Sequence, residues 1–139
     1  MGNRRKAREA ALQLLYGLEF EPSPIPGTHD DFWAEFFSPE ELPEVRRFAE
    51  LLVTGVLQER ERIDRRIREA STNWKLERMA IVDRNILRLA IYELLFMDEI
   101  PAKVSLNEAI EVAKKFGSED SSSFINGILD RISAGVTKA

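Results

Sequence analysis

The chain has 139 residues, a formal net charge of −4 and 44% hydrophobic residues, which is typical of one globular domain spanning 1–139. It contains no cysteine, which excludes disulfides, thiolate metal sites and cysteine nucleophiles. Any histidine-based zinc site or Ser-His triad would have to use the single histidine, His29. Apolar runs are too short to span a membrane and no signal-peptide cleavage site is evident, so we expect a soluble cytoplasmic protein.

Helical periodicity dominates the first half of the chain, and no useful length of sequence alternates with the period of a strand. The first helix is predicted at about residues 5–20, before a stretch with three prolines. A short helix is predicted in the aromatic stretch 30–37. A long helix is predicted at about residues 44–70, with a weak point near Glu59.

The segment "IVDRNILRLAIYELLFM" is predicted to form the central helix, because its apolar side chains cover nearly every direction around the helix axis. Its charged side chains must find partners or reach the surface; they are Asp83, Arg84, Arg88 and Glu93.

The C-terminal part of the chain carries cap signals for two further helices. Ser105 and Glu108 have the spacing of a capping box after Pro101, and Gly117 fits the C-terminal cap of the helix that follows. The last helix is predicted to end before Gly135. Together these elements predict an all-α protein of about seven helices, two of them short.

Catalytic motifs are missing from the sequence. The seven glycines are scattered, so neither a phosphate-binding loop nor a dinucleotide fingerprint is present. Paired acids lie at predicted helix starts, where they favour the helix dipole. Without a nucleophile, a base and an orienting group, we predict no enzymatic activity, no cofactor and no metal site.

Four of the first eight residues are basic: Arg4, Arg5, Lys6 and Arg8. The positive end of the helix dipole makes each cation there unfavourable by a few tenths of a kcal/mol. Phosphates of a nucleic acid could supply the countercharge and accept hydrogen bonds from free backbone N–H groups. A merely solvated helix end remains the alternative.

A second polar cluster, "KKFGSEDSSSF", also has features that suit RNA. Lys114 and Lys115 end one helix, and serines including Ser121 begin the next. Serine hydroxyls and helix-start amides suit phosphate and sugar, and Phe124 could stack on an unpaired base. A capped helix with Phe124 in the core explains the same pattern.

Two aromatic residues of the first helix, Tyr16 and Phe20, lie on the face opposite Ala7 and Leu14, which face the core. Either a second layer of helices or a binding partner is expected to cover them.

The segments "RRKAREAALQLLY", "NILRLAIYELL" and "IPAKVSLNEAIEVAKKFGSEDSSSFINGILD" together resemble the bacterial transcription antitermination factor family NusB. The resemblance covers the start, the central helix and nearly all of the C-terminal third, whereas residues 21–73 have little diagnostic sequence. It implies an all-helical fold of two perpendicular three-helix bundles sharing one core, and a non-catalytic role.

The resemblance also implies partners. Proteins of this family pair with NusE, a ribosomal small-subunit protein, and the pair binds single-stranded boxA RNA. The assembly loads onto the elongating RNA polymerase, suppresses termination and supports ribosomal RNA synthesis.

Site residues follow from the two polar clusters and the resemblance together. The predicted RNA-binding residues are Arg4, Arg5, Lys6, Arg8, Lys114, Lys115, Gly117, Asp120, Ser121 and Phe124. The predicted NusE-binding residues are Tyr16, Glu77 and Asp83. The family often has a basic residue just before the phenylalanine of its last motif, and Ser123 stands there in this chain, so that contact is not carried over.

Two other functions remain open at this stage. A NusB-like accessory domain precedes the catalytic part of some ribosomal RNA cytosine methyltransferases, but no cofactor-binding domain follows in this sequence, which favours the antitermination factor. A purely protein-binding helical adaptor would have an incidental basic end. RNA binding with and without NusE separates these functions.

Overall fold

The protein folds as a set of packed α-helices. The computed structural model describes residues 2–20, 38–40 and 42–138, apart from the side chain of Leu42. The helices are α1 (Asn3–Phe20), α2 (Leu42–Gln58), α3 (Arg60–Ala70), α4 (Ile81–Phe96), α5 (Ala102–Phe116) and α6 (Ser121–Ser133). A 3-10 turn, Leu76–Arg78, precedes α4. These described ranges contain no strand, which confirms the all-α class; the short helix predicted at 30–37 lies outside them.

The predicted long helix at 44–70 is wrong as one element, and its weak point at Glu59 is confirmed. Glu59 has φ −104° and ψ 15° and separates α2 from α3. Its N–H still donates to the Gly55 carbonyl at 2.9 Å, and its own carbonyl accepts from the N–H of Ile63 at 3.0 Å. Helical hydrogen bonds therefore flank the break on both sides, and Val56 and Ile63 next to it are both buried.

Helix α4 lies at the centre, as its apolar sequence predicts, and packs against each of the other five helices in the described ranges. Helices α1 and α2 pack against each other and α4, while α5 and α6 pack against each other and α4; α3 contacts both α4 and α6. The two groups thus share α4. Side chains buried at the shared core include Leu12, Leu52, Ile63, Leu87, Ile91 and Leu129.

Helices α2 and α4 approach closely at Gly55. A Cβ atom at this position would overlap the Tyr92 ring of α4. The ring therefore lies directly on the α2 backbone, and the missing side chain sets the separation of the two helices.

The start of α5 differs from the prediction. The helix begins at Ala102, directly after Pro101, so Ser105 lies inside it and is not an N-terminal cap. Both polar groups of the predicted capping box have distant partners instead: the Ser105 hydroxyl donates to Glu93 at 2.7 Å, and Glu108 accepts from Arg5. Tertiary ion pairing explains this spacing better than local capping.

The carbonyl end of α4 is closed by the C-terminal tail. Lys138 Nζ donates to the carbonyl of Glu93 at 3.1 Å and to that of Met97 at 3.2 Å. A cation at this end also suits the helix dipole. Among the described residues, no helix is both long and apolar enough to cross a membrane.

Candidate nucleic-acid interface

The start of α1 contains a buried arginine. Arg8 is only 6% exposed, and its Nε and Nη2 atoms donate to the two carboxylate oxygens of Glu93 at 2.7 and 2.9 Å. Ser105 donates to the same carboxylate, and Arg8 Nη1 lies 3.6 Å from Glu108. Because a two-pronged, hydrogen-bonded pair compensates both charges, α1 is fixed to α4 and α5 at this point.

Arg5 forms the outer part of the same network. Its Nε and Nη2 atoms donate to the two oxygens of Glu108 at 2.9 and 2.7 Å, and its side chain remains 35% exposed. These hydrogen bonds raise the pKa of Arg5 and hold the pKa of Glu108 below its usual range. Arg5 therefore reaches solvent with an acid already beside it.

This arrangement corrects one part of the sequence-based interpretation. Glu93 and Glu108 supply the countercharge for Arg8 and Arg5, so these two cations do not need a polyanion to offset the helix dipole. The Arg8 guanidinium is buried and engaged, and we therefore no longer expect it to contact RNA.

Arg4 has a different environment and is exposed. Its guanidinium carbon lies 4.6 Å from the centroid of the Phe48 ring on α2. A guanidinium held over a ring face keeps its N–H groups directed outward in its own plane. Arg4 can therefore meet a phosphate without leaving Phe48. Lys6, also in this turn, is half-buried.

The end of α5 lies against the same side of α1. Lys115 Nζ is 3.0 Å from a carboxylate oxygen of Glu9, and Lys114 Nζ is 3.4 Å from Glu111. Both lysines are exposed. The contact between Glu9 and Lys115 brings together the two basic clusters, which are separated by about a hundred residues in sequence.

The loop between α5 and α6 is shaped by Gly117 and Ser121. The Ser121 hydroxyl is buried and accepts the Ser118 N–H at 2.9 Å. Gly117 occupies the predicted C-terminal cap, where its N–H donates to the Ala113 carbonyl at 2.9 Å, and a Cβ atom there would overlap Ser121. These two residues therefore hold the loop, and their side-chain positions offer little to an RNA.

Asp120 and Phe124 are the predicted RNA-binding residues of this loop and helix whose side chains remain accessible. Asp120 is exposed at the N-terminal cap of α6 without a side-chain capping bond. Phe124 is partly buried and packs against the core, as the core interpretation predicts, and its stacking on an unpaired base stays a prediction.

The predicted partner-binding residues have unlike surroundings. Tyr16 is 41% exposed and its ring centroid lies 5.2 Å from that of Phe20, which is 59% exposed. Glu77 is exposed and 3.2 Å from Arg68. Asp83 is buried, and its Oδ1 atom has no hydrogen-bond partner in the part of the chain that the structure describes. Among the described residues, the predicted partner surface therefore contains an exposed aromatic pair and one buried acceptor, Asp83 Oδ1, that has no hydrogen bond.

A second charged cluster at the other end of α1 was missed by sequence reasoning. Glu19 accepts from Arg84 at 2.9 Å through each oxygen, from Asn85 at 3.0 Å and from Arg88 at 3.1 Å. Arg88 also makes a two-pronged pair with Asp64 at 2.9 and 3.1 Å. The available signal was an acid in the last turn of α1, where the dipole disfavours it.

The environment of Glu19 shifts its protonation. Burial alone would raise its pKa, but the hydrogen bonds from Arg84 and Asn85 lower it to about 2. The carboxylate therefore stays ionised and keeps the end of α1 attached to α4 at neutral pH. Within the described ranges no cluster of three or more His, Asp or Glu side chains could hold a metal ion.

Sequence similarity to known proteins extends over nearly the whole chain. The NusB family profile matches residues 5–134. Transcription antitermination protein NusB from Geobacter sulfurreducens is 51% identical over 140 residues, covering 96% of each chain. The protein of the same name from Myxococcus xanthus is 46% identical over 139 residues, covering 99% of each chain.

Solved structures agree with this relationship. T. maritima NusB superimposes with a TM-score of 0.81 at 37% identity, covering 96% of this chain and 92% of its own. A chain from a crystal structure of antitermination factors NusB and NusE in complex with dsRNA has a TM-score of 0.78 at 24% identity, covering 95% and 96%, and supports the fold. The chain described here belongs to the NusB family.

Proposed function

We propose that this chain is a transcription antitermination factor that binds boxA RNA together with the ribosomal protein NusE and acts on the elongating RNA polymerase in the cytoplasm. The observation that carries the proposal is the full-length relationship to proteins named transcription antitermination protein NusB, at 51% identity in the Geobacter sulfurreducens relative. Ribosomal RNA transcription is the process that this activity would support.

The proposed RNA surface runs from the first turn of α1 across the end of α5 to the start of α6. Its support is exposure and continuity: Arg4, Lys114 and Asp120 are exposed, and Lys115 bridges to α1 through Glu9. Arg5 is already paired with Glu108, so it contributes to RNA binding only if a phosphate binds its guanidinium alongside that carboxylate. Each phosphate neutralised on a single strand should add about 0.7 to the slope of log affinity against log salt.

The proposed NusE surface uses the second half of α1 and the segment that leads into α4. Tyr16 and Phe20 are exposed aromatics, the residue class that most often anchors protein interfaces. The orphaned Oδ1 atom of Asp83 could accept a hydrogen bond from a partner donor, which would remove the cost of leaving it unsatisfied.

A titration tests the proposal as a whole. Fluorescently labelled boxA RNA is titrated with the chain alone, with NusE alone and with both, and a scrambled RNA of equal length is the control. We expect the pair to bind boxA more tightly than either protein does, which measures a coupling free energy between the two ligands. Equal affinity for boxA and scrambled RNA would contradict boxA recognition. If the chain binds NusE but binds no RNA, either alone or together with NusE, only the protein-adaptor function remains.

A further inference from the structure

A groove beside the proposed RNA surface has an exposed tryptophan at its edge. Trp74 is 54% exposed and lies in the turn after α3. It shares the groove with one face of α6, on which Phe124, Gly127, Ile128 and Arg131 recur at helical spacing. A Cβ atom added at Gly127 would meet no other atom within 4 Å, so this glycine leaves open space in the groove.

The charge of this groove distinguishes it from its surroundings. Among the residues that the structure describes, its lining contains Arg131 and no acidic side chain; the rest of the described polar lining consists of Ser71, Thr72, Asn73 and Ser123. Four other depressions are formed by residues of the ranges 2–20, 38–40 and 42–138, and each of these four is lined by at least one glutamate. In a chain of net charge −4, an acid-free groove with a cation favours an anionic occupant.

The walls of the groove are held in place. The Ser71 hydroxyl donates to the Trp74 carbonyl at 2.7 Å, which closes the turn that carries the indole. Arg131 Nη1 donates to the Ala70 carbonyl at 2.6 Å, which fixes the cation to the end of α3. Because both elements are preorganised, a planar ligand would lose little binding free energy to ordering them.

We propose that this groove binds one base of single-stranded RNA, stacked on the Trp74 indole, with Arg131 near its phosphate. An exposed indole face, polar groups around it and a cation are the features that single-stranded nucleic acid uses. The groove continues from Phe124, which already belongs to the proposed RNA surface. The inference rests on the proposed function and extends its RNA path onto α3 and the following turn.

The test uses the full chain and labelled boxA RNA in the presence of NusE. Trp74→Ala should weaken RNA binding about tenfold, because stacking on an aromatic contributes on the order of 1–3 kcal/mol per base. Trp74→Phe should retain most of the affinity, and Leu57→Ala, which shortens an exposed apolar side chain in a different groove, should leave it unchanged. The salt slope of Trp74→Ala should equal that of the unmodified chain, since the substitution removes no phosphate contact.

A second readout comes from fluorescence. The chain has two tryptophans, so a Trp33→Phe variant leaves Trp74 as the only indole, and RNA should quench its emission. An affinity of Trp74→Ala within about twofold of the unmodified chain overturns the inference, as does a loss of NusE binding in place of RNA binding. If RNA affinity depends on Arg4 but not on Trp74, only this inference fails. If the unmodified chain and NusE together bind no RNA, the proposed function fails with it.

Discussion

The two ends of α1 carry side chains of opposite charge, and at each end the charge is paired with residues of α4. At the start, Arg8 is buried against Glu93 of α4; at the end, Glu19 is held by Arg84 and Arg88 of the same helix. Glu19 lies in the last turn, where the helix dipole disfavours an acid, whereas Arg8 lies in the second turn, where the dipole has little effect. Since the dipole effect is at most about 1 kcal/mol and a broken buried pair costs several, tertiary partners decide the charge at both ends.

The exposed side chains at the two ends of α1 differ more than the buried ones do. The start presents cations, of which Arg4 is exposed and Arg5 is shared with Glu108, whereas the end presents the exposed rings of Tyr16 and Phe20. In the proposed function, one helix would therefore bind the phosphate chain of an RNA at its start and a protein partner at its aromatic end. Four substitutions, one inner and one outer at each end, test this division.

The largest effect is expected for Arg8→Met. The substitution leaves the Glu93 carboxylate buried with only Ser105 as a hydrogen-bond donor among the contacts described above, and should cost about 3–5 kcal/mol of unfolding free energy. Urea denaturation measures the loss. The double variant Arg8→Met, Glu93→Met should recover much of it, because it removes both charges. A single-variant cost below about 1 kcal/mol would place Arg8 outside the core network.

A smaller loss is expected for Glu19→Gln, about 1–3 kcal/mol at pH 7, since Asp64 still compensates Arg88. The loss should depend on pH. The pKa of Glu19 is lowered from 4.5 to about 2, so its stabilisation is complete above pH 4.5 and is lost as pH falls toward 2. The difference in unfolding free energy between the unmodified and variant chains should therefore shrink over this range. A difference that stays constant down to pH 2 would contradict the assigned role.

On the outer face, Tyr16→Ala should weaken NusE binding by about 1–2 kcal/mol and leave stability nearly unchanged, since the ring is exposed. Isothermal titration with NusE measures the affinity. Leu51→Ala, which shortens an exposed side chain on α2, is the matched control. If both variants bind equally well, the aromatic pair is not the partner surface.

The smallest effect is expected for Arg4→Gln. It should reduce the salt slope of RNA binding by about 0.7, one phosphate on a single strand, and change stability by less than about 0.5 kcal/mol. The exposed Arg47 of α2 supplies the control, Arg47→Gln, which should leave the slope unchanged if only the first turn of α1 meets the RNA. Equal slopes for all three chains would remove Arg4 from the interface.

Helix positions could be predicted from the sequence where local signals agree. The apolar residues of α4 predict a buried helix, although it ends at Phe96 and not at Pro101, and the polar stretch around Glu59 marks a real break. The capping box failed because Ser105 and Glu108 serve partners far away in sequence. Spacing of three residues cannot distinguish a local cap from a tertiary ion pair.

The candidate site could be predicted only in outline. The sequence locates two basic clusters, but the contact of Glu9 with Lys115 that joins them spans 106 residues and has no local signature. Burial likewise separates Arg8 from Arg4, although both stand in one basic run. The groove at Trp74 could not be predicted from the sequence, because its two walls, the turn after α3 and helix α6, lie far apart along the chain.

The contact of Gly55 with Tyr92 limits how this sequence can change over evolutionary time. Any side chain at position 55 would collide with the phenol ring, so even alanine should force α2 and α4 apart at a cost of about 1–3 kcal/mol. A smaller residue at position 92 would first have to open the space. Position 55 is therefore expected to change only after position 92 has changed, and a mutational library that varies the two one at a time would record position 55 as intolerant.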